Sequence, residues 1–142
     1  MKVKRFISAI LVFSICFILA ISVSAHDLNC QAFVQLTASE NSVASKGYFG
    51  HYGQGKISNH SGSAGDAVVE LQMSLGDGWV TYGRAQAAPG GDAWTKEYGD
   101  FKTHYLVRVK ISSSTYYETG NPGRIATGSV YTDYNTGYDD GV

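Results

Sequence analysis

Three runs of this chain alternate apolar and polar residues with a period of two. Cys30, Ala32, Val34 and Leu36 alternate with Gln31, Phe33, Gln35 and Thr37. Ala67, Val69, Leu71, Met73 and Leu75 alternate with Val68, Glu70, Gln72 and Ser74. Phe101, Thr103, Tyr105, Val107, Val109 and Ile111 alternate with Lys102, His104, Leu106, Arg108 and Lys110. Successive side chains of a strand point to opposite faces, so each run predicts a strand with one face in a core and one in water. Val69, Leu71, Val107 and Val109 are the expected centre of that core. Weaker runs occupy residues 47–57, 79–87, 115–118 and 124–134, and nothing from residue 26 onward repeats with a helical period.

The punctuation between the runs fits this reading. Gly76-Asp77-Gly78 predicts a tight hairpin, because glycine supplies the positive φ that such turns demand. Pro89-Gly90-Gly91-Asp92, Tyr98-Gly99-Asp100 and Gly120-Asn121-Pro122-Gly123 predict further turns. About seven short strands separated by frequent turn signals make an all-β chain, a single antiparallel β-sandwich or a small barrel. The stretch from Gly47 to Gly65 holds six glycines among Tyr48, Phe49, His51 and Tyr52. Glycine inside strands marks bulges, bends or close backbone approach.

The first 25 residues have a different character. Lys2, Lys4 and Arg5 precede an apolar stretch, Phe6 to Val23, interrupted only by Ser8, Ser14 and Ser22; Val23-Ser24-Ala25 then offers small residues. This order of segments predicts a signal peptide over 1–25, cleaved after Ala25, and a secreted or cell-envelope protein over 26–142. The alternative is an uncleaved N-terminal anchor, since this stretch of eighteen residues falls just short of the roughly 20 that span a bilayer. Membrane attachment is expected by that route alone. Lipid attachment at Cys16 is disfavoured, because bulky Ile15 stands where a small residue is needed.

All seventeen glycines and all ten tyrosines lie after residue 25. The 117 residues that remain suffice for one domain, with a short acidic tail from Thr132 to Val142. Loss of three of the eleven basic residues leaves eight against twelve acidic ones, a net charge of −4. That balance disfavours a general nucleic-acid binder. Cys30 stands alone after cleavage, so no internal disulfide is expected. Its phase with Ala32, Val34 and Leu36 points it inward, against the alternatives of a reactive thiol or an intermolecular disulfide.

Catalytic signatures are missing. There is no Gly-x-Ser-x-Gly elbow, no His-Glu-x-x-His, no complete Gly-x-x-x-x-Gly-Lys-Ser/Thr phosphate loop and no dinucleotide fingerprint before a helix. Asp66, Glu70, Asp92, Glu97 and Asp100 offer carboxylates, but no spacing rule selects a glycosidase pair. Asp133 to Asp139 begins like a Ca²⁺ loop, yet Gly137 falls where a ligand should stand and no Glu follows at the twelfth position. The chain is therefore expected to be non-enzymatic, with no cofactor. Copper is the alternative: cleavage would make His26 the terminal residue, whose amine and imidazole can chelate Cu(II). That arrangement resembles the histidine brace of copper-dependent polysaccharide monooxygenases. His51, His60 and His104 would be possible third ligands, though none has ligand spacing.

Two surfaces remain as candidates. Tyr48, Phe49, Tyr52, Trp79, Tyr82, Trp94 and Tyr98 supply aromatic rings, of which Tyr52, Trp79, Tyr82 and Trp94 are the expected ligand platform. A sugar ring carries an apolar C–H face that can lie on such a ring. Lys102, His104, Arg108 and Lys110 share the outer phase of one strand, around Leu106, and could meet an anionic envelope polymer. The leading expectation is a secreted binding domain for a glycan or cell-envelope component. The alternative is a small secreted antimicrobial or toxin-like protein: the chain is similar to secreted β-rich bacteriocins in size and in its Gly and Tyr bias. A copper-binding protein is the third.

Overall fold

Two of the alternating runs become the centre of the molecule. In the computed structural model, which describes residues 26–74, 76, 78–99, 104–113 and 123–133, β5 (Ala67–Ser74) and β8 (Tyr105–Ser112) pair antiparallel from Val68↔Ser112 to Ser74↔Leu106. Their common inner face carries Ala67, Val69, Leu71 and Met73 beside Val107, Val109 and Ile111, all with 0% exposure. β6 (Trp79–Ala87) continues the sheet beyond β5, while β2 (Ser42–Ala44) and β3 (Tyr48–Gly50) share the far edge of β8. The facing sheet has the order β1 (Asn29–Leu36), β9 (Ala126–Thr132), β4 (Gly53–Asn59) and β7 (Asp92–Trp94). It closes the core with Leu36, Ile57, Ala126 and Val130.

The chain is thus an all-β antiparallel sandwich, with nine strands and no helix among the described residues. β2 and β7 lie in none of the runs, being three residues long and too short for alternation to be recognised, and the run at 47–57 divides into β3 and β4. The runs at 101–103 and 115–118, the segment 1–25 read as a signal peptide and the tail from 134 lie outside the described residues.

Glycine sets how closely the sheets approach. A Cβ on Gly53 would stand 2.6 Å from a Val107 methyl; one on Gly55, 2.9 Å from Val109; one on Gly128, 2.7 Å from Ile111. Three branched side chains of one sheet therefore sit in hollows left by three glycines of the other, as close packing requires. Gly50 to Lys56 also has the spacing Gly-x-x-x-x-Gly-Lys, but Ile57 follows it and the segment runs into a strand. Gly53 and Gly55 serve packing there.

Two hydroxyls carry the ladder past irregularities. Between β2 and β3, Ser45 N donates to Val109 O at 2.9 Å while Val109 N donates to Ser45 Oγ at 3.1 Å. Beside β4, Thr95 N donates to Gly55 O at 2.9 Å while Gly55 N donates to Thr95 Oγ1 at 3.0 Å. In each case the side-chain oxygen accepts the strand amide, so neither buried amide goes unpaired. The turns follow their residues. Gly91 N donates to Ala88 O at 2.9 Å across Pro89-Gly90, with Gly90 at φ +80°, as a type II turn demands. Gly76 and Gly78, at φ +100° and +139°, lie between β5 and β6.

One expectation is overturned. Cys30 is exposed, not inward. In the β1–β9 pair, Cys30 stands opposite Tyr131 and Ala32 opposite Val130, so Gln31 is an extra residue in a bulge. A bulge of one residue reverses the facing of everything before it. Ala32 and Val34 keep the predicted phase and are half-buried, and Leu36 is fully buried.

Candidate functional site

Among the described residues, the outer face of the β1–β9–β4–β7 sheet carries the two most exposed aromatic rings. The registers align Phe33, Ser129, Lys56 and Trp94 in one row across all four strands. At the ends of the row Phe33 is 69% and Trp94 47% exposed. Trp94 points outward because Thr95, the next residue, is buried and bonded to β4. Tyr131 lies beside it, with ring centroids 5.0 Å apart and planes 46° apart.

The polar groups around these rings are ordered. Lys56 Nζ lies 5.3 Å from the Trp94 ring centroid and 3.1 Å from Asp92 Oδ2. Asp92 stands opposite Ser58, and its carboxyl is held below the ordinary aspartate range by the Ser58 hydroxyl and then by Lys56. Tyr131 is pushed above the ordinary phenol value, first by burial and then by the neighbouring Cys30.

The other expected platform residues have different surroundings. Tyr52 is stacked under the His26 ring, centroids 3.7 Å apart and planes 19° apart, and packs so tightly on Gly99 that no side chain fits there. Tyr82 turns toward the core and meets Tyr98 edge-on at 6.2 Å. Trp79 is half-buried, with the Arg108 guanidinium 4.0 Å over its ring and Gly47 beneath its edge. Trp94 alone of the four is exposed. Tyr131 and Phe33, which join it on this face, were not singled out from the sequence. Phe33 does occupy the outward phase of its run; nothing local marks Tyr131.

Arg108 and Lys110 share the outer face of β8 with Leu106, and acidic and amide groups of the neighbouring strands stand between the cations. Arg108 Nε donates to Gln72 Oε1 at 2.9 Å, Gln72 Nε2 donates to Glu70 Oε2 at 3.1 Å, and Arg84 Nε donates to Glu70 Oε1 at 2.7 Å. Lys110 stands opposite Glu70 in register. These charges alternate in sign across the outer face of the β5–β8 sheet. His104 precedes β8 and packs its ring on His51, centroids 3.9 Å apart. Lys102 lies outside the described residues.

His26 Nδ1 is 2.6 Å from Glu97 Oε1. His51 Nδ1 is 3.4 Å from Asp133 Oδ2, and Asp133 Oδ1 accepts the amides of His51 and Tyr52 at 2.8 and 3.0 Å. Burial would raise the Asp133 carboxyl, but those amides outweigh it and hold it below the ordinary range. His60 follows β4 and His51 precedes it, so the seven-residue strand separates them by about 20 Å at ~3.4 Å per residue. Among the described residues no three His, Cys, Asp or Glu side chains converge as a metal site would require.

No protein-family model matches the chain, and no curated protein matches it significantly. Among the solved structures similar to this chain are two β-rich proteins. One is the crystal structure of PirA, 11% identical, with a TM-score of 0.46, covering 78% of this chain and 98% of that one. The other is the crystal structure of Yersinia pseudotuberculosis-derived mitogen (YPM), 18% identical, with a TM-score of 0.40, covering 80% of this chain and 92% of that one. At these values the likeness says nothing about activity.

Proposed function

We propose that this protein is an exported, non-enzymatic binding protein that takes a glycan or cell-envelope polymer on the outer face of β4, β7 and β9. The observation that carries this reading is Trp94: nearly half exposed, in register with Lys56, and flanked by Tyr131. Large aromatic rings are normally covered on a soluble domain, and an exposed one with ordered polar neighbours is how a surface recognises a ligand with both apolar and hydroxylated faces. The sheet supplies a flat, rigid support, so little ordering is needed on binding.

Binding of the exported protein to isolated cell-wall polysaccharide tests this. Trp94→Ala should abolish binding, whereas Trp79→Ala, whose ring is covered by Arg108, should leave it in place in the folded fraction. Absence of binding to any polysaccharide would overturn the reading and leave the toxin-like alternative ahead.

A further inference from the structure

We infer, building on the glycan reading, that the ligand of the Trp94 face is a neutral glycan and not an anionic polymer. The four strands of this sheet contain one cation and one anion between them, Lys56 on β4 and Asp92 on β7; β1 and β9 contain none. The two pair with each other at 3.1 Å. The row through Trp94 is completed by Ser129 and Phe33, and the adjacent row by Gln35, Thr127, Ser58 and Asp92. The face is therefore aromatic rings, hydroxyls and amides around one neutralised ion pair.

Asp92 sharpens the choice. Its side chain is 55% exposed, and the Ser58 hydroxyl and Lys56 keep it ionised. A carboxylate has about four acceptor positions, so capacity remains for ligand hydroxyls after Lys56 and Ser58 are served. A neutral sugar stacked on Trp94 can donate hydroxyls to that carboxylate, as charge-assisted bonds. A phosphate or uronate placed there would meet a like charge, with Lys56 already engaged by Asp92. The residues that follow β7 add one charge of each sign, the exposed Lys96 and then Glu97, and Arg84 and Arg108 lie on the outer face of the opposite sheet, beyond the core.

The test compares soluble neutral probes (a β-glucan, a mannan and a galactan) with anionic ones (alginate and teichoic acid), at low and high NaCl. Neutral-polymer binding should change little between about 0.02 and 0.5 M salt, since no net charge is screened. Trp94→Ala and Asp92→Asn should each weaken it, by about tenfold for the loss of a charge-assisted bond at Asp92. Melting curves of both surface variants confirm folding. Salt-sensitive binding to alginate or teichoic acid that still needs Trp94, and is strengthened by Asp92→Asn, would overturn the neutral class and keep the glycan reading. Binding that ignores Trp94→Ala, or no binding to any polymer, would overturn the glycan reading itself.

Discussion

The guanidinium carbon of Arg108 lies 4.0 Å over the ring of Trp79, and this contact decides what both residues do. Each appeared in the sequence as a binding candidate, one aromatic and one basic. Placed together, the cation covers the aromatic face, and Arg108 is further held by Gln72 at 2.9 Å. The pair should therefore act on stability. A double-mutant cycle with Trp79→Ala and Arg108→Ala should give a coupling of about 0.5–2 kcal/mol in chemical denaturation, the range for a cation over an aromatic ring. A coupling near zero, with ligand binding lost in Trp79→Ala, would make Trp79 part of the site instead.

The fit of Val107 into the space at Gly53 makes a second prediction. Gly53→Ala brings a methyl 2.6 Å from a Val107 methyl with both backbones fixed in paired strands, so it should cost about 1–3 kcal/mol. In a Val107→Ala background the same change should cost far less, because the hole and the knob are then smaller together. Equal costs in both backgrounds would show that the sheets adjust their spacing instead.

How much of this was legible follows from what alternation reports. Val69, Leu71, Val107 and Val109 were placed correctly, because a period of two over six or more residues has one reading. Cys30 was not, because a bulge at Gln31 leaves no local mark and reverses the phase before it. β7 is only three residues, and its attachment depends on Thr95 bonding to Gly55, forty positions away. The candidate face was half legible for the same reason. Trp94 could be suspected as a large aromatic near turns, but its union with Tyr131 and Phe33 depends on the strand order, which no single segment contains.

Asp133 should shape the response to acid. Its carboxyl lies below the ordinary aspartate range because the Tyr52 and His51 amides outweigh burial. A group with a depressed folded pKa binds fewer protons folded than unfolded, so its contribution is fully present above the unfolded value of about 3.9 and is lost as pH falls through the lower folded value. Asp133→Asn should cost about 1 kcal/mol at neutral pH and flatten the fall in Tm below about pH 4. An unchanged acid slope would mean that the amides contribute no such preference.

Cys30 provides a test that joins the bulge to the binding face. It is the free thiol of the described residues, exposed, and on the same side of the sheet as Tyr131, which stands opposite it in register. Tyr131 in turn touches Trp94. The thiol should be modified completely by a maleimide in native buffer, and non-reducing electrophoresis of air-oxidised protein should show a disulfide-linked dimer abolished by Cys30→Ser. A bulky maleimide adduct should crowd the Tyr131 side of the platform and weaken polymer binding, whereas the small adduct left by methyl methanethiosulfonate should not. Reaction only after unfolding would contradict the bulge at Gln31 and return Cys30 to the interior. Full labelling with a large adduct and unchanged binding would place the ligand on the Asp92 side of Trp94, away from Tyr131.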